Sequence, residues 1–328
     1  MVQVLVTGAT GCVGANIVES LLNRGYAVRA LRRSTSPLGA LVGLEPELAY
    51  GDIMDTASLE SAMAGCELVF HAAAVSQYWR NSVDLLYAVN VDGTRNVLEA
   101  AMAAGVSRVV LTSSVAALGI PTRDGALLDE TAEFNWPPNR FHYGHSKLLA
   151  EAEAARAVTA GLDVVCVNPA SVVGRRDINF VGGEILRTVR RGWFLVAPAG
   201  GMGIVSAEAV GLGHVLAAER GIAGERYILN GENVSHRDFL KLVALVVGAR
   251  PPFFTIPRSG MRLAASLAHA VLGILGKGSP APLSQFELSA YDMYFDGGKA
   301  ERGLGVPRIG ADAAVKDAWD WYRHEGLL

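Results

Sequence analysis

Between residues 2 and 167 the sequence alternates between short β-rich runs and stretches of helical spacing, and this alternation leaves few architectures open. It predicts strands at Val2–Thr7, Tyr26–Leu31, Leu48–Gly51, Leu68–His71, Arg108–Thr112 and Asp163–Val167. It predicts helices at Cys12–Arg24, where Val13, Ile17 and Leu21 share a face, from about Asn81 to Ala104, and at His145–Ala160. Units of this kind build a parallel sheet with helices on both faces. The unbroken apolar runs Val109-Val110-Leu111 and Val164-Val165-Cys166-Val167 suit strands buried on both sides.

After Asn168-Pro169 glycine and proline become denser and the pattern less regular. Helices are predicted at Glu184–Arg191, Ala207–Arg220, Ser235–Val247, Arg258–Leu275 and Ala311–His324, with short strands around Phe194 and Arg226–Leu229. The expectation is a sheet domain over residues 1–168 and a smaller α/β cap over 169–328, intertwined with it. A chain of 328 residues buries enough surface for this without metals or disulfides. Its net charge of −3 offers no basic excess for nucleic acid. Cys12, Cys66 and Cys166 lie far apart, without metal-ligand spacing, and fit a reducing, cytoplasmic compartment and no metal site. Met1 leads straight into an apolar run without a charged leader region, so no signal peptide is expected. The longest apolar stretch, Leu263 to Leu275, is about 13 residues against the roughly 20 that a bilayer requires.

Chemistry enters with Gly8-Ala9-Thr10-Gly11-Cys12-Val13-Gly14, placed between the first strand and the first helix. A turn this tight excludes Cβ, and the helix N-terminus behind it suits a pyrophosphate. The fold expected is therefore a Rossmann-type doubly wound sheet. The second strand ends on Arg32 and Arg33, where an NAD site carries an acid. Guanidinium groups suit a 2′-phosphate, so NADP(H) is expected over NAD(H). Asp52 and Ile53, after the third strand, are placed to hold the adenine. Tyr143 and Lys147 stand four apart on one helix face, and Lys147 is the only lysine in the first 240 residues. A phenol titrates near 10 and is a poor proton shuttle at neutrality unless a neighbouring ammonium lowers it. Thr112-Ser113-Ser114 closes the fifth strand, where a hydroxyl can reach a carbonyl beside Tyr143.

Together with His71-Ala72-Ala73, Asn90-Val91-x-Gly93-Thr94-x-Asn96 and Asn168-Pro169-x-x-x-x-Gly174, these motifs resemble an extended short-chain dehydrogenase/reductase over nearly the whole chain. Phe295-Asp296-x-x-Lys299-Ala300 and Trp319-x-Trp321 extend the likeness to the C-terminal end. Within that superfamily the chain is most similar to dihydroflavonol-4-reductase-like proteins and to the bacterial group labelled hopanoid-associated sugar epimerases. The resemblance implies that Tyr143 gives a proton to the carbonyl while Lys147 bonds the nicotinamide ribose and lowers the tyrosine. It further implies that Ser114 polarises the carbonyl oxygen and that Asn90 holds a proton-relay water. His71, Ala72, Ala73, Thr112, Pro169, Ser171 and Val172 would complete the cofactor pocket with the glycine motif. It also implies a homodimer built on the two long helices. The chain departs from the family where Ser206-Ala207-Glu208-Ala209 replaces a His-Val-Asp-Asp stretch.

The leading reading is a hydride exchanged between nicotinamide and a carbonyl or alcohol of a bulky, largely apolar small molecule, expected from the aromatic residues assigned to its lining: Tyr78, Trp79, Phe134, Trp136, Phe141, Trp193 and Phe194. The segment Met261–Leu275 is apolar nearly all round, which points to burial. A nucleotide-sugar epimerase or dehydratase with tightly bound cofactor is the alternative, and Arg175, Arg176, Arg187 and Arg190 are its candidate diphosphate ligands. A non-catalytic NADP(H) sensor is the third reading.

Overall fold

The alternating runs fold into a seven-stranded sheet in which every neighbouring pair is parallel. The structure is a computed structural model describing residues 2–193, 196–274 and 281–328. Across the sheet the order is Glu47–Tyr50, Ala27–Arg32, Gln3–Thr7, Leu68–His71, Arg108–Thr112, Val164–Pro169 and Arg226–Leu229. The chain therefore reverses direction between Gln3–Thr7 and Leu68–His71. The carboxyl ends of those strands open a crevice at a topological switch point. Side chains alternate across the sheet, as the period of two requires. Val4 and Val6 join one core with Ile17 and Leu21 of the helix Cys12–Asn23 and Val210 of the helix Ala207–Arg220. Leu5 joins the opposite core with Met63, Val97 and Ala154, from helices Thr56–Met63, Gly93–Ala103 and His142–Thr159.

The second sheet runs Glu232–Ser235, Gly201–Ser206, Asp292–Phe295 and Leu127–Leu128, with Ser171–Val173 also paired to Gly201–Ser206. A third core, including Leu186, Phe239, Val243 and Tyr322, lies against it.

Four sequence expectations change. Arg226–Leu229 is the edge strand of the large sheet, not a cap strand, because its register follows Val164–Pro169. The single helix from Asn81 to Ala104 is instead Val83–Tyr87, a π-turn at Ala88–Asp92 and Gly93–Ala103. Thr94 explains the interruption: its hydroxyl donates to the carbonyl of Asn90 at 2.7 Å and competes with the helical ladder there. Helices Ala281–Leu288 and Gly298–Leu304 were not foreseen. The helix Arg258–Ile274 buries Met261 and Ala265 but leaves Leu263, Leu267 and Val271 exposed, so only one face is covered. Phe194 and Leu275 lie outside the described residues.

Two fully buried histidines tie these layers together. Thr94 has spent its hydrogen on Asn90, so His71 Nε2 donates to Thr94 Oγ1 at 3.1 Å, and Nδ1 accepts from Thr7 Oγ1 at 2.7 Å. His214 Nδ1 donates to the Val210 carbonyl at 2.7 Å and Nε2 accepts from Thr112 Oγ1 at 2.8 Å. Both rings are thus neutral. Burial lowers His71 to about 3 and His214 to about 4. The unfolded chain binds these protons near pH 6.5 and the folded chain does not, so stability is intact above that pH and drains as pH falls. From pH 6.5 to 5, urea titration should show a loss of about 1.4 kcal/mol per pH unit for each ring. A pH-independent unfolding free energy over this interval would contradict the two neutral tautomers.

Candidate active site

The first strand ends at Thr7 and the chain turns at Gly8 with φ +67°, a left-handed conformation that favours glycine. A Cβ on Gly8 would stand 2.6 Å from the Ala72 carbonyl carbon, so the turn presses against the end of the fourth strand. A Cβ on Gly14 would stand 2.1 Å from the Gly8 carbonyl oxygen, which closes the turn onto its helix. The helix Cys12–Asn23 begins without a side-chain cap and without an acid in its first turn. Its N-terminal N–H groups are left for an anion. This cradle, too tight for Cβ and positive at its helix end, fits the pyrophosphate of a dinucleotide.

The cradle opens into a cavity of about 1280 Å³. From the cofactor residues foreseen in the sequence, Gly8, Thr10, Gly11, Cys12, Val13 and Gly14 line it. So do Arg32, Arg33, Asp52 and Ile53, then Ala72, Ala73 and Thr112, and on the far wall Pro169, Ser171 and Val172. Arg32 stacks over Tyr50 at 5.1 Å and donates to the carbonyls of Arg33 and Ser34, at 3.1 and 2.9 Å. Arg33 is exposed at the mouth. Asp52 Oδ1 accepts from the Met54 N–H at 3.0 Å and shapes its turn. His71 does not line the cavity; its ring is consumed by Thr7 and Thr94, and its task is to join strand ends.

Helix His142–Thr159 starts early enough to carry both Tyr143 and Lys147 into the cavity. Lys147 is 4% exposed and donates from Nζ to the Thr112 carbonyl at 3.0 Å. Burial lowers its ammonium to about 8, opposed by the Glu151 carboxylate and the Cys166 thiol. Burial also pushes the Tyr143 phenol above its ordinary range, against a hydrogen bond with Ser114. Burial outweighs the Ser114 hydrogen bond at the phenol, and Lys147 directs one of its three N–H bonds to the Thr112 carbonyl. Ser113 donates its hydroxyl to Glu151, which leaves Ser114 as the serine at Tyr143. A ring stack of Tyr78 on Tyr143, with centroids 5.1 Å apart and planes at 12°, was not foreseen. Gln285 bonds Tyr78 from the cap.

Asn90, Phe134, Trp136 and Trp193, like His71, fall elsewhere. Asn90 sits behind the wall: its Oδ1 accepts from the Val75 N–H at 2.8 Å and its Nδ2 donates to Ser146 Oγ at 3.0 Å. It therefore braces Val75, itself a lining residue, and does not reach the cavity. Phe134 packs on His145, with centroids 6.0 Å apart, and Trp136 is buried edge-on against Tyr291 at 5.5 Å. Tyr78, Trp79 and Phe141 do line the cavity, whereas Trp193 is 73% exposed. The four arginines considered for a diphosphate are engaged away from the cavity. Arg175 and Arg176 pair with Glu19, Arg187 pairs with Glu184, and Arg190 lies over Trp319.

A dinucleotide cradle facing a buried tyrosine–lysine helix defines an NAD(P)-dependent oxidoreductase of the extended short-chain type. The chain belongs to the NAD dependent epimerase/dehydratase family, which matches residues 4–192. It is 38% identical to a Synechocystis protein named "Putative dihydroflavonol 4-reductase", over 98% of this chain and 95% of that one. It is 34% identical to the sterol demethylase protein B of Methylococcus capsulatus, over 99% of each chain. The crystal structure of gox2253 superposes with a TM-score of 0.90 at 35% identity, covering 99% of both chains. Among the described residues no helix is long and apolar enough to cross a membrane.

Proposed function

We propose that this protein is an NADP(H)-dependent reductase of a carbonyl on a bulky, largely apolar substrate. The observation that carries this reading is the charge of the cavity wall. Among the described lining residues the only charged side chains are Arg32, Arg33 and Asp52 at the dinucleotide end, and Lys147 behind Tyr143. The cap contributes Met202, Phe239, Leu240, Phe286 and Met293. A sugar diphosphate would meet no cation there, whereas a polycyclic carbonyl compound would be buried on apolar surface. The names dihydroflavonol 4-reductase and sterol demethylase protein B both concern polycyclic compounds.

In this reading the glycine turn holds the pyrophosphate, and the free hydrogens of Lys147 bond the nicotinamide ribose. When bound, the nicotinamide supplies the hydride to the carbonyl carbon. Ser114 orients the carbonyl oxygen. Tyr143, protonated at neutral pH as any phenol is and held more firmly so by burial, hands its proton to that oxygen. Residues 169–328, apart from the helix Ala207–Arg220 and the strand Arg226–Leu229 that belong to the large sheet, act as the substrate cap, and the protein works as a homodimer. The experiment is NADPH consumption against a panel of polycyclic ketones. Turnover of any member supports the proposal. Bound cofactor with no net consumption, together with conversion of a nucleotide sugar, would replace it with the epimerase reading.

The choice of NADP(H) rests on Arg33, exposed one residue beyond Arg32, which stands where an acid would select NAD(H). Arg33→Ser removes one charge-assisted contact to a 2′-phosphate, so NADPH binding should weaken about tenfold or more while NADH binding barely changes. Fluorescence titration of both cofactors checks this, and equal losses for the two would count against a 2′-phosphate contact.

A further inference from the structure

The cap side of the cavity is mostly apolar, and its polar side chains are Asn179, His236, Gln285 and Ser289, of which Ser289 is spent on the Phe286 carbonyl at 2.7 Å. His236 opens the helix His236–Val247 and donates its backbone N–H to the Gly200 carbonyl at 2.9 Å. Its distance from the cofactor side can be read along a strand. Gly201–Ser206 pairs with Ser171 at Ile204 and with Ser235 at Gly201. Three residues of strand separate the two, about 10 Å. Among the described residues none hydrogen-bonds the His236 ring, while Gln285, the nearby cap polar group, is joined to Tyr78. Burial holds the ring neutral, with a proton affinity lowered to about 4. The positive end of its own helix acts in the same direction. Asp292, the one carboxylate that opposes this, is bound by Arg258. A neutral imidazole offers one donor and one acceptor.

Resting on the reductase reading above, we infer that His236 is a specificity-determining residue: it hydrogen-bonds a second oxygen, a hydroxyl or carbonyl, at the end of the substrate remote from the carbonyl reduced at Tyr143. A half-buried polar group without a protein partner in a mostly apolar wall discriminates strongly, because a substrate lacking the matching oxygen leaves it unpaired. The substrate class is thus a polycyclic compound oxygenated at both ends.

The test uses two tricyclic ketones that differ only in a hydroxyl on the ring remote from the ketone. Wild-type protein should favour the hydroxylated one by about tenfold in kcat/KM, the worth of one hydrogen bond. In His236→Phe that ratio should fall to near one, and His236→Gln, which keeps a donor and an acceptor, should restore part of it. Thermal unfolding of both variants establishes that they fold. Calorimetry of the two corresponding alcohols with the NADP-loaded protein gives the same ratio without turnover. If neither ketone is reduced but the diol binds more tightly than the mono-ol in a His236-dependent way, the reductase reading fails and the subsite stands. A wild-type ratio near one, or a preference that survives His236→Phe, overturns the inference even where both ketones are reduced.

Discussion

Tyr143→Phe should reduce kcat by about 10²- to 10⁴-fold, the range a positioned general acid supplies, while NADPH binding stays within a few-fold of wild type. The change removes one oxygen from a ring held on three sides. Tyr78 stacks at 5.1 Å, Phe141 stands edge-on at 6.2 Å, and the helix His142–Thr159 carries the backbone. Phenylalanine preserves these contacts, so loss of rate with intact folding isolates the proton. Stopped-flow reduction under single turnover separates chemistry from product release. An unaltered rate of hydride transfer in Tyr143→Phe would remove the phenol from the reaction.

Lys147→Met should lose cofactor affinity and rate together, by about 10²-fold or more in kcat/KM, because one ammonium both anchors the ribose and supplies the local positive charge. The pH profile is the sharper readout. The ammonium is lowered to about 8, so it is present at pH 7 and lost as pH climbs through about 8. Carbonyl reduction should therefore hold level near neutrality and fall on the alkaline side. Glu151 works against this lowering, and Arg226 holds that carboxylate at 3.2 Å. In Lys147→Arg the charge no longer titrates in this range. The alkaline limb attributed to the lysine should disappear from whatever activity remains. An identical limb in Lys147→Arg would assign it to another group.

The parts of this molecule that local pattern encodes were readable from the chain. Val4, Leu5 and Val6 alternate between two cores because a strand buried on both faces must be apolar throughout. Gly8 and Gly14 advertise a turn where no Cβ fits. Tyr143 and Lys147 share a helix face by spacing alone. The misplacements arose where tertiary contacts decide. Phe134 and Trp136 have the residue type of a substrate wall, but their loop turns them toward His145 and Tyr291. Arg226–Leu229 has the composition of any short strand, and only its register against Val164–Pro169 assigns it to the large sheet. Nothing near His236 in the sequence marks it as a cavity residue. It arrives there because Ser235 pairs opposite Gly201. The lowering of Tyr143 by Lys147 followed from proximity on one helix, yet the lysine spends its hydrogen bond on Thr112 and burial dominates the phenol.

In the proposed reaction a phenol and an apolar cap together commit the hydride to a released product. Deuterium transfer tests this most directly: NADPH carrying deuterium at both nicotinamide C4 positions is incubated with a polycyclic ketone and the product is weighed by mass spectrometry. One deuterium per molecule of alcohol, with matching NADP⁺ formed and the labelled alcohol appearing about 10²- to 10⁴-fold more slowly in Tyr143→Phe, is the expected result. An unlabelled product, formed while the cofactor keeps both deuterium atoms, would contradict it.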